Sequence, residues 1–177
     1  MGTKDAKHPC DRQDTPSAQA DTPVDESNKE WFATRKGLGR PGLRFKCTSC
    51  GNCCSGPSGF VLFTEAEGAK LAKRLGLSER AFYETYTKAT VKGVSLAERP
   101  TDHGYDCVFL DRESVPGKAI CSVYEDRPEQ CRTWPFWKSN LESPDAWRRA
   151  KQICPGLDSG TLIPPDQIRI FRDRVDI

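Results

Sequence analysis

Nine cysteines stand in this chain of 177 residues, and eight of them fall between positions 47 and 154. The first four form Cys47-x2-Cys50-x2-Cys53-Cys54. A Cys-x2-Cys loop turns both sulfurs toward one point while backbone N–H groups face them, as in zinc knuckles and iron–sulfur loops. Continued to Cys53, the spacing matches the cluster-binding run of bacterial ferredoxins, whose fourth ligand is a Cys followed by Pro. Cys154-Pro155 is such a pair, far along the chain. Cys107, Cys121, Cys131 and Cys154 are dispersed, with no second Cys-x2-Cys. That counts against two ordinary zinc knuckles and describes a fold wrapped around its metal. Eight sulfurs divide into two four-sulfur sites, or into one cluster with spare structural thiols. Cys53 and Cys54 are neighbours, so in an extended chain they point apart and are expected to serve different sites.

The competing reading is buried or disulfide-bonded cysteine. An odd total of nine fits disulfides poorly. The opening residues carry no apolar secretory segment, so a cytoplasmic, reducing setting is expected, where clustered thiols are metal ligands or catalytic groups. Thiolates are soft, which excludes calcium or magnesium as the principal ion. The cofactor expected is an iron–sulfur cluster, favoured by the ferredoxin-like spacing, or zinc. Thiolates around divalent ions leave a negative centre, and Lys46, Arg127 and Arg132 stand near the ligands in sequence to offset it. Trp134, Phe136 and Trp137 follow Cys131 closely and can roof the site against water, though core packing explains them equally well. Neither His8 nor His103 belongs to a visible nucleophile–base arrangement.

Composition limits the remaining possibilities. Lys and Arg total 27 against 25 Asp and Glu, a balance without the strong basic footprint of a nucleic-acid binder. No stretch approaches the roughly 18 apolar residues of a membrane span. Apolar residues make up 36% of the chain, enough for only a modest core, and small cores commonly need a staple of metal or disulfide.

The elements that must position the thiols are short. Residues 1–30 carry seven acidic and four basic residues, three prolines and no apolar period, and read as a disordered polar tail in which Cys10 is incidental. Residues 31–42, with Gly37, Gly39 and Gly42, read as a linker or an arm laid over the domain. Residues 45–59 read as a Gly-, Ser- and Pro-rich loop, and Phe60–Phe63 as a strand or extended core segment. Thr64-Glu65-Ala66-Glu67 is a capping box opening a helix that stops at Gly76. Ser78 opens a second helix carrying Phe82 and Tyr86 on one face. Residues 105–110 and 119–124 read as the two strands of a β-hairpin around the Pro116-Gly117 turn. Asp126 reads as the cap of a short helical turn with Pro128 in its first turn. Ser143-Pro144-Asp145 opens a helix to about Ile153, and Pro164 onward a last amphipathic helix.

The ordered pattern Cys47-x2-Cys50-Gly51-x-Cys53-Cys54, then Cys107-Val108-Phe109-Leu110, then Cys121 to Pro135 through Arg127-Pro128 and Cys131-Arg132, then Cys154-Pro155-Gly156 resembles the zinc- or iron-chelating cysteine-cluster family, YkgJ-like, over about residues 45–157. The resemblance implies a bacterial cytosolic protein with a metal or iron–sulfur centre and no assigned biochemical role. Some relatives are linked to flagellin lysine methylation; this short chain shows no methyl-donor site. Nor does it carry the Cys-x3-Cys-x2-Cys of radical enzymes, because Pro57 follows the Cys50-x3-Cys54 pair. The expectation is an α+β domain of short helices and a β-hairpin around a cysteine cluster at 31–160, followed by an amphipathic segment at 161–177. A metal-binding protein is the first functional reading. A small redox or group-transfer enzyme using the centre, and a zinc-stabilised interaction module, are the alternatives that sequence alone does not separate; partners are open.

Overall fold

The computed structural model describes residues 30–34 and 39–177. Apart from Glu30, the tail expected at 1–30 lies outside them, together with Cys10 and His8. The protein is α+β: seven helices and four antiparallel strand pairs are laid along the described chain. No described helix is long and apolar enough to cross a membrane.

Local sequence chemistry decides most helix ends. In α2 (Glu65–Leu75), Thr64 accepts from the Glu67 N–H and Glu67 reaches back to the Thr64 N–H at 2.7 Å, closing the capping box. Gly76 ends the helix in a left-handed conformation that glycine adopts without strain. α3 (Glu79–Tyr86) is capped by Ser78, and α6 (Pro144–Ile153) by Ser143, whose hydroxyl accepts from the Ala146 N–H. α7 (Pro165–Asp173) follows Pro164, and its Ile168 is fully buried.

These elements build two separate apolar cores. One gathers α1 (Trp31–Thr34), β1 (Leu43–Phe45), α6 and α7 around Trp147, Phe136, Leu157 and Ile168. Phe136 stacks between Trp147 and Phe171, with ring centroids 5.9 and 5.5 Å away. β1 pairs with β8 (Thr161–Ile163), so the ends of the described chain close on each other. The other core gathers α2 and α3 around Leu71, Phe82, Leu96, Phe109 and Val123. Each fully buried side chain of this size contributes about 2 kcal/mol.

Several expectations are corrected here. Residues 31–34 are no overlying arm: Phe32 is 2% exposed and belongs to the first core. The hairpin expected between 105–110 and 119–124 shrinks to β6 (Leu110–Asp111) and β7 (Ile120–Cys121). β5 (Gly104–Cys107) instead pairs with β4 (Glu98–Thr101), because a two-residue loop closes at lower entropic cost than the long DRESVPGK connection. The neighbouring hairpin of β2 (Thr87–Thr90) and β3 (Gly93–Leu96) carries none of the sequence signals described above. Phe60–Phe63 makes one bridge, Leu62 to Ser95, and otherwise belongs to no named strand. Asp126 caps nothing: the Arg74 guanidinium on α2 takes its carboxylate, and α4 (Glu129–Thr133) begins after Pro128.

Candidate metal centre

The cysteine loop leaves β1 and is bent by two left-handed residues, Ser49 (φ 56°) and Gly51 (φ 77°). A Cβ at Gly51 would lie 2.6 Å from the Ala119 Cβ, so only glycine lets the loop seat there. The seat is completed by the Ala119 N–H donating to Ser49 O at 2.8 Å. Residues Asn52–Cys54 then form a 3-10 turn. This turn overturns the expectation that Cys53 and Cys54 diverge. The alternation that separates neighbours holds only in extended chain, and here the two sulfurs stand 3.7 Å apart.

Each remaining thiol arrives on its own element. Cys107 ends β5, Cys121 ends β7 opposite Leu110, and Cys131 lies within α4. Cys154 is the C-terminal cap of α6. The Pro155-Gly156 turn after it lies against Cys47's neighbour: the Lys46 N–H donates to Gly156 O at 3.1 Å. A side chain at 156 would run into Lys46 O. Asn52 adds a second tie, donating to Ile153 O at 2.8 Å.

All eight cysteines, Cys47, Cys50, Cys53, Cys54, Cys107, Cys121, Cys131 and Cys154, line one cavity of about 450 Å³. It lies where the two cores meet. Cys154, Phe45 and Trp134 face it from the first, and Cys107, Cys121, Phe109 and Val123 from the second. Trp134 and Trp137 form part of its wall, while Phe136 is packed in the first core. Arg127 and Arg132 also line it; Lys46 does not. Arg127 lies over the Tyr124 ring, 3.8 Å from its centroid. His103 lines a separate polar groove with Arg99 and Arg112.

The wall is apolar, and that governs the thiols. Removal from water pushes Cys107 up to about 11 and raises Cys121 and Cys131 as well, with neighbouring cysteines adding to the shift on Cys107 and Cys131. In the Cys53–Cys54 pair the shared hydrogen bond lowers Cys53 to about 7 and drives Cys54 up. The Arg127 charge also favours the Cys53 thiolate. Burial raises Cys154, opposed by a backbone hydrogen bond at Gly156 and by the nearby Trp134 indole N–H.

Behind the loop stands a buried ion pair. Arg112 donates to both oxygens of Asp106, at 2.8 and 3.0 Å, and Asp106 is wholly buried. The same guanidinium donates to Ser55 Oγ at 2.6 Å, and Ser55 donates to Gly51 O. A cation is thereby anchored next to Cys54. On the other side, Gln130 accepts from the Leu62 N–H and donates to Phe60 O, fixing that segment beside Cys131. None of Arg112, Asp106, Ser55 or Gln130 is marked by motif or spacing, and their partners lie 4 to 70 positions away.

The donor set fits a soft metal. Thiolates are the ligands zinc and iron–sulfur clusters take. Among the described residues two buried polar atoms have no hydrogen-bond partner, Thr48 Oγ1 and Trp134 Nε1, and both residues line this cavity. Orphaned polar atoms on residues that share a cavity with thiols suit an anionic, sulfur-rich occupant. Among the described residues no three His, Cys, Asp or Glu side chains are already gathered tightly enough to hold an ion. The sulfurs line the wall of the cavity without closing on one point.

Residues 46–155 match the model of the CxxCxxCC family, described as "Putative zinc- or iron-chelating domain". No solved structure matches the chain.

Proposed function

Because the chain belongs to this zinc- or iron-chelating family, we propose that its eight clustered thiols hold a resident metal centre, iron–sulfur in the first reading. The observation that carries it is the convergence on one cavity of four cysteines from one loop and four more from separate elements. Cys47, Cys50, Cys53 and Cys154 form the set joined by the Lys46–Gly156 and Asn52–Ile153 contacts. Cys54, Cys107, Cys121 and Cys131 form the set carried largely by the second core. Cys53, beside Cys54, stands between the two. When bound, an iron–sulfur centre supplies one-electron transfer and a zinc ion supplies a structural cross-link. The chain's own part is to bring thiolates out of water, offset their charge with Arg127 and Arg112, and exclude solvent with Trp134 and Trp137.

Zinc is the second reading, favoured by the cavity's place at the junction of the two cores, where a closed tetrahedral ion would join them. Anaerobic purification with metal and acid-labile sulfide analysis, beside an ultraviolet–visible spectrum, separates the two. Well-folded protein with neither metal and eight free thiols would end both. Cys154→Ser replaces a soft thiolate by a hard hydroxyl. Its expected result is loss of metal from one site and less soluble protein. Full metal retention would make Cys154 a packing residue and move closure of that site to Cys131.

A further inference from the structure

Four tryptophans occur in the chain, and three of their indole N–H groups have partners. Trp31 donates to Leu141 O at 2.7 Å, Trp137 to Gln130 O at 3.0 Å and Trp147 to Asp158 Oδ1 at 3.1 Å. Trp134 is the exception: its Nε1 is buried and makes no hydrogen bond. Leaving such a donor unmet in the interior is unfavourable. Its ring is held edge-to-face on Trp137, with centroids 4.8 Å apart, and that neighbour is itself tethered through Gln130. The orphan donor is therefore fixed in the wall of the cysteine cavity, on a ring packed against the core cluster that contains Cys154.

We infer that the Trp134 indole N–H is the built-in hydrogen-bond donor to the Cys154 thiolate when the centre is loaded, a positioning residue that sets that ligand's basicity. Thr48 Oγ1, the other unpartnered buried atom, faces the same cavity from between Cys47 and Cys50. The inference rests on the metal reading above. Its physical content is specific. A neutral thiol is a weak acceptor, so the N–H gains little from it; a metal-bound thiolate carries the charge that makes the bond strong. Such partners orient a ligand and tune its electron density, and losing one commonly costs tenfold or more in metal affinity.

Trp134→Phe keeps the ring and removes the donor. In protein loaded anaerobically with iron and sulfide, or with cobalt(II) as a coloured stand-in for zinc, the variant should bind its metal about tenfold more weakly against a competing chelator. Its thiolate-to-metal charge-transfer band should move to longer wavelength, because the sulfur becomes more electron-rich. Trp31→Phe, which loses a bond to the Leu141 carbonyl at a residue outside the cavity lining, should leave the band in place. An unchanged band and affinity in Trp134→Phe, with metal content as in the parent protein, would overturn the inference and leave the metal reading standing. Parent protein that takes up no metal would overturn both. Should Trp134→Phe fail to fold, the ¹⁵N-labelled parent decides. Its Trp134 indole N–H resonance should move downfield on loading, and a stationary resonance refutes the inference.

Discussion

At the scale of single residues, the cysteine loop depends on groups that are not cysteines. Gly51 permits both the left-handed turn and the contact with Ala119, and Gly156 permits the approach to Lys46. The Asp106–Arg112 pair holds the far side of the loop through Ser55. Its carboxyl is kept below the usual range by the Arg112 hydrogen bonds, against the opposing effect of burial. A carboxyl depressed in the fold adds stability above its unfolded value near 3.9 and loses it as pH falls through the lower folded value. Asp106→Asn should therefore cost roughly 3 kcal/mol at pH 7, because it strands a half-buried guanidinium. Urea midpoints measured from pH 7 downward should show the gap to the parent protein narrowing below about pH 4. A gap that stays constant with pH would mean that packing, not charge, is lost.

At the scale of elements, the helices obey short-range rules and the strands do not. The Thr64–Glu67 box, the Ser78 and Ser143 caps and the Gly76 stop all link residues within three or four positions. Each is therefore readable from neighbouring letters. Glu67 also acts over a longer range, because its other carboxylate oxygen accepts from the Glu129 N–H and ties the start of α2 to the start of α4. Thr64→Ala removes only the outward half of the box. It should lower unfolding stability by about 1 kcal/mol and leave metal content untouched. Denaturant titration beside metal analysis checks this; metal loss would show that α2 positions Cys131 through Glu67. The strands are less legible, because the letters of residues 105–107 do not name the segment they pair with. The choice fell to 98–101, whose turn is two residues long.

At the scale of the whole molecule, two modest cores meet at a cavity lined by eight thiols. Neither core is large, and the raised thiols in the wall are neutral until a metal displaces their protons. Metal binding should then supply part of the folding energy, and should do so by joining the cores. Removing metal with a chelator should lower the thermal midpoint and split one cooperative transition into two, with loss of helical signal. Calorimetry and circular dichroism of the loaded and stripped protein read both effects. A single, unshifted transition after complete metal removal would show that the cores are held together without the centre.

Local chemistry in the sequence is enough to name the clustered thiols, their softness and their order along the chain, because thiol chemistry and the Cys-x2-Cys spacing are local properties. It also determined the helix starts, where a hydroxyl or carboxylate meets an N–H three residues away. Which thiols are neighbours follows from packing. Cys53 and Cys54 converge because the chain turns at Asn52–Cys54 instead of extending. Cys154 reaches the loop because a glycine far downstream can touch Lys46. Arg112 takes its place from Ser55, a partner that sequence proximity does not reveal, and the Trp134 N–H is left buried without one. Long-range contacts are selected by how the two cores close, and that is a property of the whole packed chain rather than of any segment in it.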